Sequence, residues 1–159
     1  MDKLSSYLSL DLIKLHLNAN TKEEMLKEMA LLVKDKVTNF DKFYEALLDR
    51  ESAGSTAMEN GLCIPHTRNS YVKEFCIAVG TKEEGIDCSS IDGKKSTVFF
   101  LIISNDKTKL EHLDALVKIS RVVNDEIATM VLSSTKSKEG FIELIKKLEL
   151  RWQFYCHFF

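Results

Sequence analysis

Two uninterrupted apolar runs, Phe75-Cys76-Ile77-Ala78-Val79-Gly80 and Val98-Phe99-Phe100-Leu101-Ile102-Ile103, constrain this chain more than any other feature. A strand with one wet face alternates apolar and polar residues, whereas a run without polar positions needs cover on both faces. Both runs sit between segments of helical period, so the pattern implies an α/β layered domain with helices covering a sheet. A chain of 159 residues fits one domain, 1–159, and at this size roughly 68–70% of the chain surface can be buried without disulfide or metal staples.

The remaining pattern fills in this frame. Ile13-Lys14-Leu15-His16-Leu17 alternates, which predicts a half-buried strand with Ile13, Leu15 and Leu17 on one face. Thr21 and Glu24 form a capping-box pair ahead of Met25, Met29, Leu32 and Val33, predicting a helix over residues 21–36. A second helix opens near Asp41, buries Phe40, Tyr44, Leu47 and Leu48, and ends near Arg50. Residues 52–60 are small, polar and aperiodic, and read as a loop feeding an apolar strand over 62–65. Asp92-Gly93 marks a tight turn. Leu113, Leu116, Val117 and Ser120 have helical spacing, so a helix from about 110 carries His112 in its first turn. A short helix follows over 125–132, and Ser137 caps a last one that buries Phe141, Leu144, Ile145 and Leu148. The aromatic tail 151–159 is expected to pack on the body or on a neighbour.

Composition removes several function classes. The net charge is −2 and basic residues alternate with acidic ones, which argues against a nucleic-acid footprint. Cys63, Cys76, Cys88 and Cys156 include no CxxC pair and mostly lie in or beside apolar stretches, as buried thiols do in a reducing compartment. No apolar run approaches the ~20 residues of a membrane span and the first residues lack a signal-peptide pattern, so a cytoplasmic protein is expected.

The chemistry concentrates at Gly61-Leu62-Cys63-Ile64-Pro65-His66, which contains the only proline. Proline fixes its own φ and biases Ile64 toward extended backbone, so His66 is held at a strand end. Taken alone, this is also what a surface histidine looks like. A positioned imidazole can carry a proton, a metal or a phosphoryl group. A phosphohistidine needs one nitrogen free to attack, a group orienting the other, and donors for the phosphoryl oxygens. Candidates are Arg50 as a guanidinium fork, His112 as a second imidazole, and the 54–60 loop, with Thr56 and Asn60, as a source of N–H and hydroxyl groups. Sequence spacing does not bring them together, and an arginine at a helix end also serves as a cap or ion-pair partner.

These residues resemble a known family. The order and spacing of Leu47-Leu48-Asp49-Arg50-Glu51, Gly54-Ser55-Thr56, residues 60–66, Gly85-Ile86-Asp87, Ile91-Asp92-Gly93-Lys94, the 98–103 run and Glu111-His112-Leu113 are similar to EIIA domains of the fructose and mannitol class of the bacterial phosphoenolpyruvate-dependent phosphotransferase system, including nitrogen-regulatory EIIA proteins. The resemblance covers about 10–148. It implies a single α/β domain with a mixed sheet flanked by helices, and a phosphocarrier role in sugar transport or nitrogen regulation. His66 would take a phosphoryl group from the histidine phosphocarrier protein HPr and pass it to a cysteine of an EIIB domain, or its phosphorylation state would regulate a partner. Arg50 and His112 would lie beside it. No metal or organic cofactor is implied, and the membrane is involved only through a transporter.

The chain departs from the family at Ala57, Met58 and Glu59, where the loop usually reads Gly-Ile-Gly after the threonine, and at Thr67, where glycine is common. Lost glycines change which backbone N–H groups can approach a phosphate, and Glu59 would oppose a phosphoryl group if it faced one. The altered loop supports one rival, an EIIA-like binding module that regulates a partner without being phosphorylated. A metal enzyme using His66, His112 and Cys63 or Glu59 is the other, but no paired ligand motif is present. A Cys63 nucleophile paired with His66 is weaker, since residues three apart on a strand face opposite sides.

Overall fold

The computed structural model describes residues 3–158, with side chains through Phe154. The strands are β1 (Ile13–Lys14), β2 (Leu62–Cys63), β3 (His66–Arg68), β4 (Cys76–Ile86) and β5 (Ser96–Ser104). The helices are α1 (Lys22–Leu32), α2 (Phe40–Ser52), α3 (Lys109–Val122), α4 (Glu126–Ser133) and α5 (Lys138–Phe158). The sheet runs β1-β4-β5-β2, and β3 extends the β2 edge along β5. Only the β4–β5 pair is antiparallel, so the sheet is mixed, as the family resemblance implies.

The two apolar runs become β4 and β5 at the centre of the sheet. Along β5, Phe99, Leu101 and Ile103 pack with Met25, Met29, Phe43 and Leu47 of α1 and α2. Val98, Phe100 and Ile102 pack on the other side with Ala115 and Ile119 of α3, Leu132 of α4, and Phe141 and Ile145 of α5. Each such side chain contributes about 1.5–3 kcal/mol of burial free energy, and the period of two shares the gain between both layers. Cys63, Cys76 and Cys88 are buried free thiols, with burial pushing Cys76 up to about 12. The Cys156 side chain and the last aromatic residues lie outside the described side chains.

Three sequence expectations need correction. The alternation over 13–17 breaks at His16, whose φ is 61. β1 therefore stops at Lys14, and Leu17 packs on the α1 side of the sheet while Ile13 and Leu15 face α3. The helix predicted over 21–36 ends at Leu32 and continues as a 3-10 turn, Lys34–Lys36; Thr21 accepts from the Glu24 N–H, but Glu24 reaches back to the Asn20 N–H. On α3 the buried stripe is His112, Ala115, Ile119 and Val122, leaving Leu110, Leu113 and Val117 exposed. α2 starts at Phe40 under an Asn39 cap and buries Phe43 and Leu47 most deeply, with Tyr44 and Leu48 at the margin. α5 runs well past Leu148.

Candidate functional site

Pro65 ends the β2 approach and its carbonyl accepts from the Ile102 N–H at 3.0 Å, which anchors the chain as it enters β3. His66 pairs with Ile102 in parallel register and is half-buried. Its Nδ1 lies 2.8 Å from the Ile64 carbonyl oxygen. A carbonyl only accepts, so Nδ1 carries the proton and Nε2 keeps the lone pair. Burial is the main force lowering the His66 pKa; Arg50 lowers it further, while the Ile64 bond and Glu51 oppose the change. The ring is therefore mostly neutral at pH 7, with a nucleophilic nitrogen.

An open cavity of about 530 Å³ is bordered by Ala46, Asp49 and Arg50 of α2, by β3, and by His112, Leu113 and Leu116 of α3. Arg50 comes from the last turn of α2 and donates to the Gly54 carbonyl at 3.0 Å, which fixes one end of its guanidinium. The His112 ring meets His66 edge-on at 5.5 Å between centroids. Its Nδ1 lies 2.5 Å from the buried Ser104 hydroxyl. Burial, then His66 and Arg68, lower the His112 pKa to about 4, so this ring is also neutral. Arg68, which sequence reasoning missed, borders the same cavity and, among the described residues, makes a long ion pair, 3.8 Å, with exposed Asp106. The spacing could have found it, because positions 66 and 68 share a strand face.

Thr56 and Asn60 are placed otherwise. Thr56 is buried, and both its N–H and its hydroxyl donate to Glu51, at 2.9 and 2.8 Å. Lys22 pairs with the same carboxylate at 2.9 Å. These donors, acting against burial, hold Glu51 below the usual carboxylate range. Asn60 and Gly61 have φ of 61 and 83, and the Leu62 N–H returns to the Glu59 carbonyl at 3.3 Å. This is a tight turn with two left-handed central residues, for which Asn-Gly is the favoured pair. The turn closes a small hairpin in which Ala57 bridges Cys63. Glu59 sits on that turn, exposed, and is not among the residues bordering the His66 cavity. Leu62 pairs with Val98 and His66 with Ile102, so Asn60 lies at least four strand residues, about 13 Å, from His66. Thr67 is buried and its hydroxyl accepts from the Asn69 amide. No cluster of three or more metal-ligating side chains occurs among the described residues.

The model of the family described as "Phosphoenolpyruvate-dependent sugar phosphotransferase system, EIIA 2" matches residues 6–148, and the chain belongs to this family. It is 30% identical over 150 residues to a mannitol-specific phosphotransferase enzyme IIA component of Staphylococcus aureus, covering 92% of this chain and 99% of that protein. It is 29% identical over 147 residues, 91% of its length, to the fructose-specific EIIABC component of Bacillus subtilis, and spans only 23% of that relative. The nitrogen regulatory protein IIA-Ntr of Neisseria meningitidis superposes with a TM-score of 0.82 at 25% identity, covering 89% of this chain and 98% of that structure. The fold and the family expected from the sequence are those found. No helix among the described residues is long and apolar enough to cross a membrane.

Proposed function

We propose that this protein is a phosphocarrier in which the neutral His66 ring accepts a phosphoryl group on Nε2 from phospho-HPr. The observation that carries this reading is the commitment of His66 Nδ1 to the Ile64 carbonyl, with the ring bordering a cavity that also contains Arg50, Arg68 and His112. Nε2 attacks phosphorus in line, the new N–P bond forms as the bond to the donor imidazole breaks, and the donor nitrogen leaves with its electron pair. Charge stays on the three phosphoryl oxygens throughout, so positioning and cationic donors supply most of the catalysis. Arg50 offers a planar fork and Arg68 a second positive charge. Exposed Leu113 and partly buried Leu116 at the cavity margin suit a donor that is itself a folded protein.

Onward transfer is to a cysteine of an EIIB domain or, in a regulatory member, the phosphorylation state itself is the output. Curated relatives include both kinds, being fructose- and mannitol-specific components and nitrogen regulatory proteins. A fold neighbour, enzyme IIA-mannitol of Escherichia coli, has been solved in complex with phosphorylated enzyme IIB-mannitol. The deciding experiment incubates the protein with phosphoenolpyruvate, enzyme I and HPr and maps acid-labile phosphate by mass spectrometry. Phosphate on His66 is expected; protein left unmodified by phospho-HPr would transfer the assignment to a docking module that needs no phosphorylation.

A further inference from the structure

The two facing imidazoles have different groups behind them. His66 Nδ1 meets a carbonyl, while His112 Nδ1 meets the hydroxyl of Ser104, which is fully buried at the end of β5. The 3-10 turn Asp106–Thr108, closed by an Asn105 and Thr108 capping box, folds α3 back so that its first turn lies over that hydroxyl. Among the described residues the Ser104 hydroxyl has no other hydrogen-bond partner. If Nδ1 carried the proton and donated to Oγ, the serine proton would be buried without an acceptor, which is costly. If Oγ donates to Nδ1, every proton has a place. Nε2 must then hold the ring proton.

We infer that Ser104 is a positioning residue that holds His112 in the Nε2–H tautomer, opposite to that of His66, so that one ring offers a lone pair and the other an N–H donor to the same phosphoryl group. This rests on the phosphocarrier reading for its kinetic consequence but not for the tautomer itself. Phosphoryl oxygens only accept, so the other tautomer would set a lone pair against them. Position 104 carried no signal in the sequence, because nothing in the spacing shows that α3 returns over the end of β5.

Two measurements test this on the intact protein. Ring-nitrogen NMR of 15N-histidine-labelled, unphosphorylated protein at pH 7, with signals assigned by His66→Ala and His112→Ala variants, should show His112 protonated on Nε2 and His66 on Nδ1. In Ser104→Ala the Nε2–H population of His112 should fall, with the His66 signals unchanged. In phosphotransfer from phospho-HPr, Ser104→Ala should slow the reaction roughly three- to tenfold, the worth of one neutral hydrogen bond. Added to His112→Ala it should cost nothing more, since it acts only through that ring. A wild-type His112 protonated on Nδ1, or a Ser104→Ala loss that adds in full to the His112→Ala loss, would overturn the inference. Should phospho-HPr fail to modify the protein at all, the phosphocarrier reading falls while the NMR result still decides the tautomer.

Discussion

The two ends of the segment 60–68 look alike in sequence, each rich in polar side chains beside a strand, yet the structure uses them differently. At the Asn60 end polar groups are consumed internally, the Asn60 N–H donating to Asp92 and its carbonyl accepting from Thr129, and across the hairpin at Ile64 Thr56 joins Lys22 in satisfying Glu51. At the His66 end the inner nitrogens have protein partners, and the outer groups of His66, His112, Arg50 and Arg68 border open space. A satisfied network specifies backbone shape, while convergent donors and a lone pair left unspent mark where a ligand belongs. The same polar composition therefore gives a structural clamp at one end and a reactive surface at the other.

The sharpest way to break this division is at the two histidines. His66→Ala is expected to abolish phosphorylation, whereas His112→Ala should leave His66 able to accept a phosphoryl group about tenfold more slowly, because one ring makes the bond and the other only offers a hydrogen bond to its oxygens. Quantified acid-labile phosphate over time separates the two; equal and complete loss in both variants would show that the roles are wrongly divided. Arg50 comes next. Removing a charge-assisted fork in Arg50→Ala should slow transfer on the order of a hundredfold. Arg50→Lys should fall between, since the charge stays and the bidentate geometry goes. Wild-type rates in Arg50→Ala would return Arg50 to a helix-end role, capping Gly54.

How much of this was legible beforehand follows from what kind of signal each element carries. The β4 and β5 runs could hardly be anything but interior strands, and Pro65 made His66 legible through backbone stiffness alone. The buried face of α3 is not legible because the helix is apolar on two sides, and spacing cannot say that Leu113 and Val117 lie outside while Ala115 and Ile119 lie inside. Asn60 offers the loop a polar side chain, but Asn-Gly before an apolar strand is a turn signal in its own right, and the residue sits in that turn. The Thr56 hydroxyl and the Ser104 contact depend on where loops return in space, which local sequence does not encode.

Acidification sharpens the comparison from the His66 side. The His112 ring stays neutral in the fold down to about 4, whereas an unfolded chain protonates it near the ordinary value of 6.5. Between these values the unfolded state binds more protons, so stability falls as the pH falls through that window. The loss attributable to this ring is about 2 kcal/mol after allowing for its partial contact with water. Urea titrations at pH 7 and pH 4.5 on wild type and His112→Gln measure it: the variant should lose less stability on acidification. An identical pH dependence in the two proteins would contradict the buried, neutral ring.

On the clamp side, Thr56→Val keeps the shape and the backbone N–H but removes the hydroxyl that donates to Glu51. A buried carboxylate short of one donor costs about 1–3 kcal/mol, or roughly 2–4 °C in Tm for each kcal/mol in a domain of this size. Phosphotransfer, measured below the melting transition, should stay within about twofold of wild type. A large loss of transfer with unchanged Tm would mean that Thr56 serves the phosphoryl group after all.

The smallest effect is expected at Asn60, and it is the most direct test of whether the two ends are separate. The residue holds a φ of 61 at the turn, a conformation that glycine adopts without penalty, and among the described residues its side-chain amide makes one long contact, 3.4 Å, with Asn124. Asn60→Gly keeps the N–H bond to Asp92 and the carbonyl that accepts from Thr129, so its folding free energy should lie within about 0.5 kcal/mol of wild type. Asn60→Ala keeps a Cβ in the left-handed region but removes the amide that makes asparagine tolerant of that conformation, and should cost about 1 kcal/mol. Neither variant should change the rate or extent of His66 phosphorylation. The pair is informative because the two hypotheses order the variants differently. A turn residue gives stability loss in alanine only and unchanged transfer in both; a phosphate ligand gives equal loss of transfer in both, whatever their stability. The second pattern would join the two ends of the segment into one site and remove the distinction between clamp and reactive surface.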